Sequence, residues 1–277
     1  DISISGVQYL MESSDGSVWV PTWPGLYRYD KNMEEQSFND MRWEWVYTML
    51  ETRDGTIWLA SKRGTTNADR LWKFNGQTWD SEFYIGTSVE HMIEDKDGNL
   101  WLAFKEGGLQ KYDVVTSDRV NYLKDELVSD LLRSLDKRIW AGTSNGLWNF
   151  DETDWREIPQ LSGHSVLSIL QTTDQAIWVG TNTGLWHLED NKWKKYLHAR
   201  EITALYENND KLLRVGTDRG VWTLRSDGWY SELTNIRVSS ILQLPNNSVW
   251  VRAKDSLWRF NLTGWFQPNV LRNLEVF

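Results

Sequence analysis

Residues 177–188 read IWVGTNTGLWHL, with near-copies one unit before, IWAGTSNGLWNF at 139–150, and one unit after, LRVGTDRGVWTL at 213–224. The tryptophan of this phrase recurs at Trp19, Trp58, Trp101, Trp140, Trp178 and Trp250, with Arg214 in its place once. The spacings are 39, 43, 39, 38, 36 and 36 residues. A second anchor follows each time, at Leu26, Leu71, Leu109, Leu147, Leu185, Val221 and Leu257. Seven units therefore cover nearly the whole chain, and a period near 40 marks a repeat architecture.

Each unit reads as four short strands. The first is an apolar run such as VEHMIED, VSDLLRS or VLSILQT. Asp15-Gly16, Asp54-Gly55 and Asp97-Gly98 then supply a tight turn, because both central residues of such a hairpin need positive φ. The later units relax it to Asp136-Lys137, Asp174-Gln175, Asp210-Lys211 and Asn246-Asn247. The second strand is of the VWV or IWVGT kind, and the third is of the GLWHL kind. A more polar fourth strand begins near Trp79, Trp155, Trp193, Trp229 or Trp265.

Four antiparallel strands repeated seven times predict an all-β fold, a seven-bladed β-propeller. It is expected as a single domain over 1–277, with blades starting near residues 7, 46, 89, 128, 166, 202 and 238. Indoles would fill the wedge between blades, and Gly142, Gly180 and Gly216 would admit a neighbouring blade. The alternating DISIS at 1–5 is expected to add a strand to the last blade. Pro159 and Pro268 are placed in outermost strands, where an edge tolerates proline.

Composition narrows the function classes. A net charge of −9 argues against nucleic-acid binding that needs a basic surface, and gives no attraction to anionic lipid. No apolar run approaches a membrane span, so no membrane contact is expected within this fragment. The chain begins at Asp1 rather than Met, as expected of a processed or excised piece. Cysteine is absent, which removes disulfide, zinc-thiolate and thiol-nucleophile chemistry. No cofactor or metal is expected.

The unit resembles the two-component regulator propeller repeat, on DGNLWLAFKEGGLQKYD at 97–113, RIWAGTSNGLWNFD at 138–151 and AIWVGTNTGLWHLED at 176–190. That resemblance implies a periplasmic or extracellular sensor region of a bacterial signalling protein, often one that detects saccharides. It also implies about twice as many repeats, followed by an immunoglobulin-like domain, a membrane span and an output domain, none of which this sequence contains.

Residues shared by the units serve the blade, so function is sought in those that break the pattern. Glu12, Glu51, Glu94 and Glu207 recur at the end of the first strand and read as a solvated rim rather than a calcium ring. The departures gather early. Unit 2 inserts KRGTTNADR, residues 62–70, between its second and third strands; unit 1 carries Trp23-Pro24 there; MRWEWVY at 41–47 precedes a first strand. In a propeller these loops lie on one face, so Trp23, Trp43, Trp45, Arg63, Asp69 and Arg70 form the candidate ligand site. An indole stacks on a sugar ring while charged groups bond its hydroxyls.

His91 and His164 stand near the same face and complete the candidate set. A family of propeller lyases that open cyclic peptide antibiotics has a similar repeat and uses His with Glu; Glu90-His91 and His164 are the candidates for such acid–base work. No HExxH, P-loop, GxSxG or GxGxxG motif is present. The expectation is a non-catalytic recognition or sensor propeller for a saccharide or other small polar ligand. Binding would act through a neighbouring domain or a second protomer. A lyase or a protein-interaction scaffold is the alternative.

Overall fold

The computed structural model describes residues 11–22, 25–32, 34–38, 41, 44–63, 69–243, 249–253, 256–261 and 264–266. The expected strand at 1–5 and Pro268 lie outside them. The described strands form seven antiparallel four-stranded sheets, each in the order in which its strands leave the chain. The fold is a seven-bladed β-propeller, one blade per sequence unit. The blades run Met11–Ser37, Glu44–Tyr84, Val89–Tyr122, Val128–Glu157, Val166–Tyr196, Ile202–Thr234 and Ser240–Phe266. They fall into two compact units: Asp1–Leu127 with Glu275–Phe277, which holds blades 1–3, and Val128–Leu274, which holds blades 4–7.

The opening phrase is a hairpin. Ile177 pairs with Leu188 and Thr181 with Gly184, so Asn182 and Thr183 form a two-residue turn. The Thr181 hydroxyl closes it by donating to the Gly184 carbonyl at 2.8 Å; Thr143 and Thr217 do the same in blades 4 and 6, at 3.1 and 3.0 Å. The Gly-Thr of each phrase is thus a turn lock.

The turn between the first two strands has its own lock. Ser13 donates to Asp15 at 2.7 Å, Thr52 to Asp54 at 2.7 Å and Thr172 to Asp174 at 2.6 Å. The Ser13 hydroxyl, with the Ser17 amide, holds the Asp15 carboxyl well below the usual range despite some burial. Gly16, Gly55 and Gly98 take φ of +80°, +82° and +89°, and Lys137, Gln175 and Lys211 keep the same geometry at +71°, +73° and +61°. The relaxed turns therefore preserve the conformation without the residue best suited to it. The indole beyond the turn donates back six residues, Trp19 to Ser13 at 3.3 Å, Trp101 to Asp95 at 3.2 Å and Trp140 to Ser134 at 3.1 Å.

In the first unit, Trp58 of blade 2 is buried among Val89, Leu100 and Leu102 of blade 3. In the second, Trp140 packs with Val166, Ile169 and Val179 of blade 5, and Trp178 with Ile202, Leu213 and Val215 of blade 6. The glycines beside them allow the approach. A Cβ on Gly142 would stand 2.4 Å from Val166, on Gly180 2.6 Å from Ile202, and on Gly216 2.6 Å from Val238.

Two expectations are corrected. Pro159 is not in an outer strand: blade 4 ends at Glu157, and Pro159–Leu161 form a 3-10 turn that buries Leu161. Three of the four first-strand acids are not a solvated rim, while Glu12 is exposed. Glu51 accepts from the Ser14 amide at 2.7 Å, Glu94 from the Arg53 amide at 2.9 Å and Glu207 from the Thr173 amide at 2.7 Å; Gln171 takes the Leu135 amide at 2.7 Å. Each reaches back to the first turn of the preceding blade and fastens two blades together.

Candidate functional site

The described ends of the insertion in unit 2, residues 62, 63, 69 and 70, extend the pairing of the blade, and residues 64–68 lie outside the described residues. Where blades 4, 5 and 6 turn at Gly-Thr, blade 2 has Ala60-Ser61 and keeps pairing, Ser61 with Arg70 and Lys62 with Asp69. Its first strand also starts early, adding Glu44 opposite Arg63 and Trp45 opposite Lys62. Ser61 has no turn to lock. Its hydroxyl donates instead to Glu44 at 2.6 Å and accepts from the Trp72 indole at 2.9 Å. Glu44 is buried, so this chain of bonds gives the extension a polar centre.

Trp45 stands opposite Lys62, and Lys62 opposite Asp69; directly paired residues share one sheet face, so the three form a row across the extension. Its ends differ. Trp45 is 45% exposed, whereas Asp69 is 4% exposed. The Asp69 Oδ1 is buried with no hydrogen-bond partner among the described residues. Burial pushes its carboxyl up, and the Lys62 charge only partly offsets this. A buried carboxylate oxygen without a donor is costly, and such a group calls for an explanation.

The structure distributes the other candidates. Arg70 lies on the opposite face of the extension, with its guanidinium 5.9 Å from the Trp72 ring centre and 3.3 Å from the Ser81 hydroxyl. Trp23 and Trp43 lie outside the described residues; so does the side chain of Arg63, whose backbone closes the pairing with Glu44. His91 sits half-buried in the first strand of blade 3 opposite Ala103. His164 precedes the first strand of blade 5, its ring 5.7 Å from that of Trp186, and burial with the nearby Lys195 charge lowers its pKa. Among the described residues, no three His, Asp or Glu side chains gather as metal ligands.

Sequence reasoning missed two clefts in the first unit, both at the opposite end of the strands from the extension. One, of about 550 Å³, lies between blades 1 and 2, lined by Asp15, Arg28, Glu51, Lys73 and Phe74 among others. The other, of about 490 Å³, lies between blades 2 and 3 and includes Arg53, Asp54, Lys73 and Glu94. Most of their charges already have partners: Arg28 pairs with Asp15, and Arg53 with Glu94 at 3.1 Å. The recurring Glu was the signal that this end of the blades matters, but its role is to clasp blades.

The architecture defines a propeller built from one tryptophan- and glycine-marked repeat, with blade 2 lengthened. The chain carries the two-component regulator propeller repeat, whose family model matches residues 160–183. No curated protein sequence is significantly similar to the chain. Among solved structures it is similar to two of the extracellular domain of a putative one-component or hybrid two-component system from B. thetaiotaomicron. These share 20% and 22% identity, each with a TM-score of 0.67 over 94% of this chain and 39% of theirs. The chain thus spans about two fifths of those domains. Virginiamycin B lyase from Staphylococcus aureus has 13% identity and a TM-score of 0.61 over 90% of this chain and 92% of the lyase. PorZ, a surface component of the type-IX secretion system of Porphyromonas gingivalis, has 13% identity and a TM-score of 0.54 over 94% of this chain and 47% of PorZ.

Proposed function

We propose that this chain is a ligand-recognition propeller of a bacterial signalling receptor, exposed outside the cytoplasm, and that it takes a saccharide or similar small polar ligand at the blade 2 extension. The observation that carries this reading is Asp69: a buried carboxylate with an unfilled acceptor, in a row with Lys62 and an exposed indole. A sugar supplies what the row lacks. Its hydroxyl donates to Asp69, its ring oxygens or acidic groups accept from Lys62, and its apolar face stacks on Trp45. The repeat type and the extracellular sensor domains of like fold support the receptor role. The signal would pass to a neighbouring domain or a second protomer.

Ligand binding to the folded state raises stability by mass action, about 2.7 kcal/mol at a hundred times Kd. Thermal unfolding is to be measured against a panel of neutral and acidic oligosaccharides. A saturable rise in Tm is expected, lost in Trp45→Ala and in Asp69→Asn. A rise that survives both substitutions moves the site elsewhere; no rise across the panel overturns the reading.

A further inference from the structure

Blade 2 also departs from its neighbours at the turn end of its strands. In blades 1–3 the third strand sets a cation opposite the repeated indole and over its ring. Arg28 lies 5.4 Å from the ring centre of Trp19, Lys73 5.4 Å from that of Trp58 and Lys111 5.7 Å from that of Trp101. Two of these cations pair with an acid of their own turn. Arg28, the longer side chain, reaches Asp15 inside the turn at 2.5 Å. Lys111 pairs at 3.2 Å with Asp95, which opens the turn of blade 3 and also accepts from the Trp101 indole.

Blade 2 combines the lysine of blade 3 with the turn of blade 1. Thr52 opens its turn in place of an acid, and Asp54 stands inside it. Lys73, half-buried on its indole, makes no ion pair or hydrogen bond among the described residues. Asp54 uses one oxygen: the Thr52 hydroxyl and the Thr56 amide both donate to Oδ1, at 2.7 and 3.0 Å. Lys73 and Asp54, with Thr56, line both clefts, of about 550 and 490 Å³. Other charges there are matched within the protein: Arg28 with Asp15, Arg53 with Glu94 at 3.1 Å, Lys96 with Asp97 at 3.0 Å, and Glu51 with the Ser14 amide at 2.7 Å. One ammonium and one carboxylate oxygen thus stand on shared walls without pairing with each other.

We infer that Lys73 and Asp54 form a second binding site, for a free α-amino acid. Its carboxylate pairs with the Lys73 ammonium, a point charge with three rotatable donors, and its ammonium pairs with Asp54 Oδ2. A ligand carrying both signs matches a site carrying both. Phe74 and Ile57 line the larger cleft beside them and suit an apolar side chain.

The test is a titration of the full chain, carrying carbon-labelled lysine, with L-phenylalanine at fixed ionic strength, following the Lys73 ε-methylene by NMR. The signal is assigned by its loss in Lys73→Gln. Phenylalanine should shift it saturably. N-acetyl-L-phenylalanine lacks the ammonium and L-phenylalaninamide lacks the carboxylate, so each should bind at least tenfold more weakly. Thr52→Asp gives blade 2 the acid of blade 3 and leaves Lys73 in place; by pairing with Lys73 it should weaken phenylalanine at least tenfold. Asp69→Asn should change nothing, which keeps this site distinct from the one at the blade 2 extension. No saturable shift, either derivative binding as tightly as phenylalanine, or an unchanged affinity in Thr52→Asp would overturn the assignment. The ligand comparison needs no variant to fold. Tight binding of the acetylated form marks the C-terminus of a peptide instead, and tight binding of the amide marks its N-terminus.

Discussion

The Glu94 carboxylate accepts from the Arg53 amide at 2.9 Å and from the Arg53 guanidinium at 3.1 Å, joining the end of one blade's first strand to the first turn of the blade before it. The amide bond recurs at Glu51, Gln171 and Glu207. It requires only an acceptor at the end of a two-bond stem, and for that reason Gln171 serves as well as glutamate. Glu51→Ala and Glu207→Ala should each lower stability by about 1–2 kcal/mol in urea unfolding, while the Gln variants keep most of it. Equal losses for Ala and Gln would show that charge, not the bond, is what matters.

Gly180 tests the approach of blades 5 and 6. A Cβ there would meet Ile202 Cγ2 and the Ser168 hydroxyl, both at 2.6 Å. Gly180→Ala should cost about 1–3 kcal/mol, since the overlap falls in a packed core. Gly180→Ala combined with Ile202→Ala should fall short of the sum of the two single losses, because the second change vacates the space. Unfolding midpoints of the four proteins measure this.

Blade 6 replaces the repeated indole with Arg214, which is 3% exposed and lies 3.5 Å from Glu232 and 5.4 Å from the Phe260 ring centre. Arg214→Ala empties a buried site that holds an indole in the other blades, so it should cost about 3–5 kcal/mol. Arg214→Trp should cost less. The blade is built to seat an indole, Asn208 stands six residues back where other blades put the acceptor, and Arg225 still pairs with Glu232 at 3.2 Å. Chemical denaturation of both variants gives the comparison.

Asp69 carries a prediction about pH. Burial raises its folded pKa above the unfolded value of about 3.9, so the folded state holds the proton longer. Its contribution to stability is therefore most favourable at low pH and declines as pH rises through the window between the two values. Asp69→Asn removes the charge and should make the unliganded protein more stable at pH 7 than the parent, with the gain vanishing near pH 4. The same variant should lose the saccharide response. A variant less stable at pH 7 would mean that the carboxylate already has its partner.

The sequence by itself determined the blade. Its period, the Asp-Gly turns, the Trp wedge and the close-approach glycines are local or repeated features, and seven copies make each legible against the others. It also located the break in the repeat, because an inserted KRGTTNADR stands out from a pattern that turns at Gly-Thr. Only the tertiary structure decided what the break and the exceptions do. How the two ends of 62–70 are used depends on pairing across strands, which set Lys62 between Trp45 and Asp69 and sent Arg70 to the other face. The recurring Glu looks solvated when read along the chain, because its partner is an amide some 34 to 41 residues away. Backbone donors have no letter in the sequence. Burial, cross-strand register and the partners of a charge are properties of residues brought together from distant positions, and there the function of this propeller has to be sought.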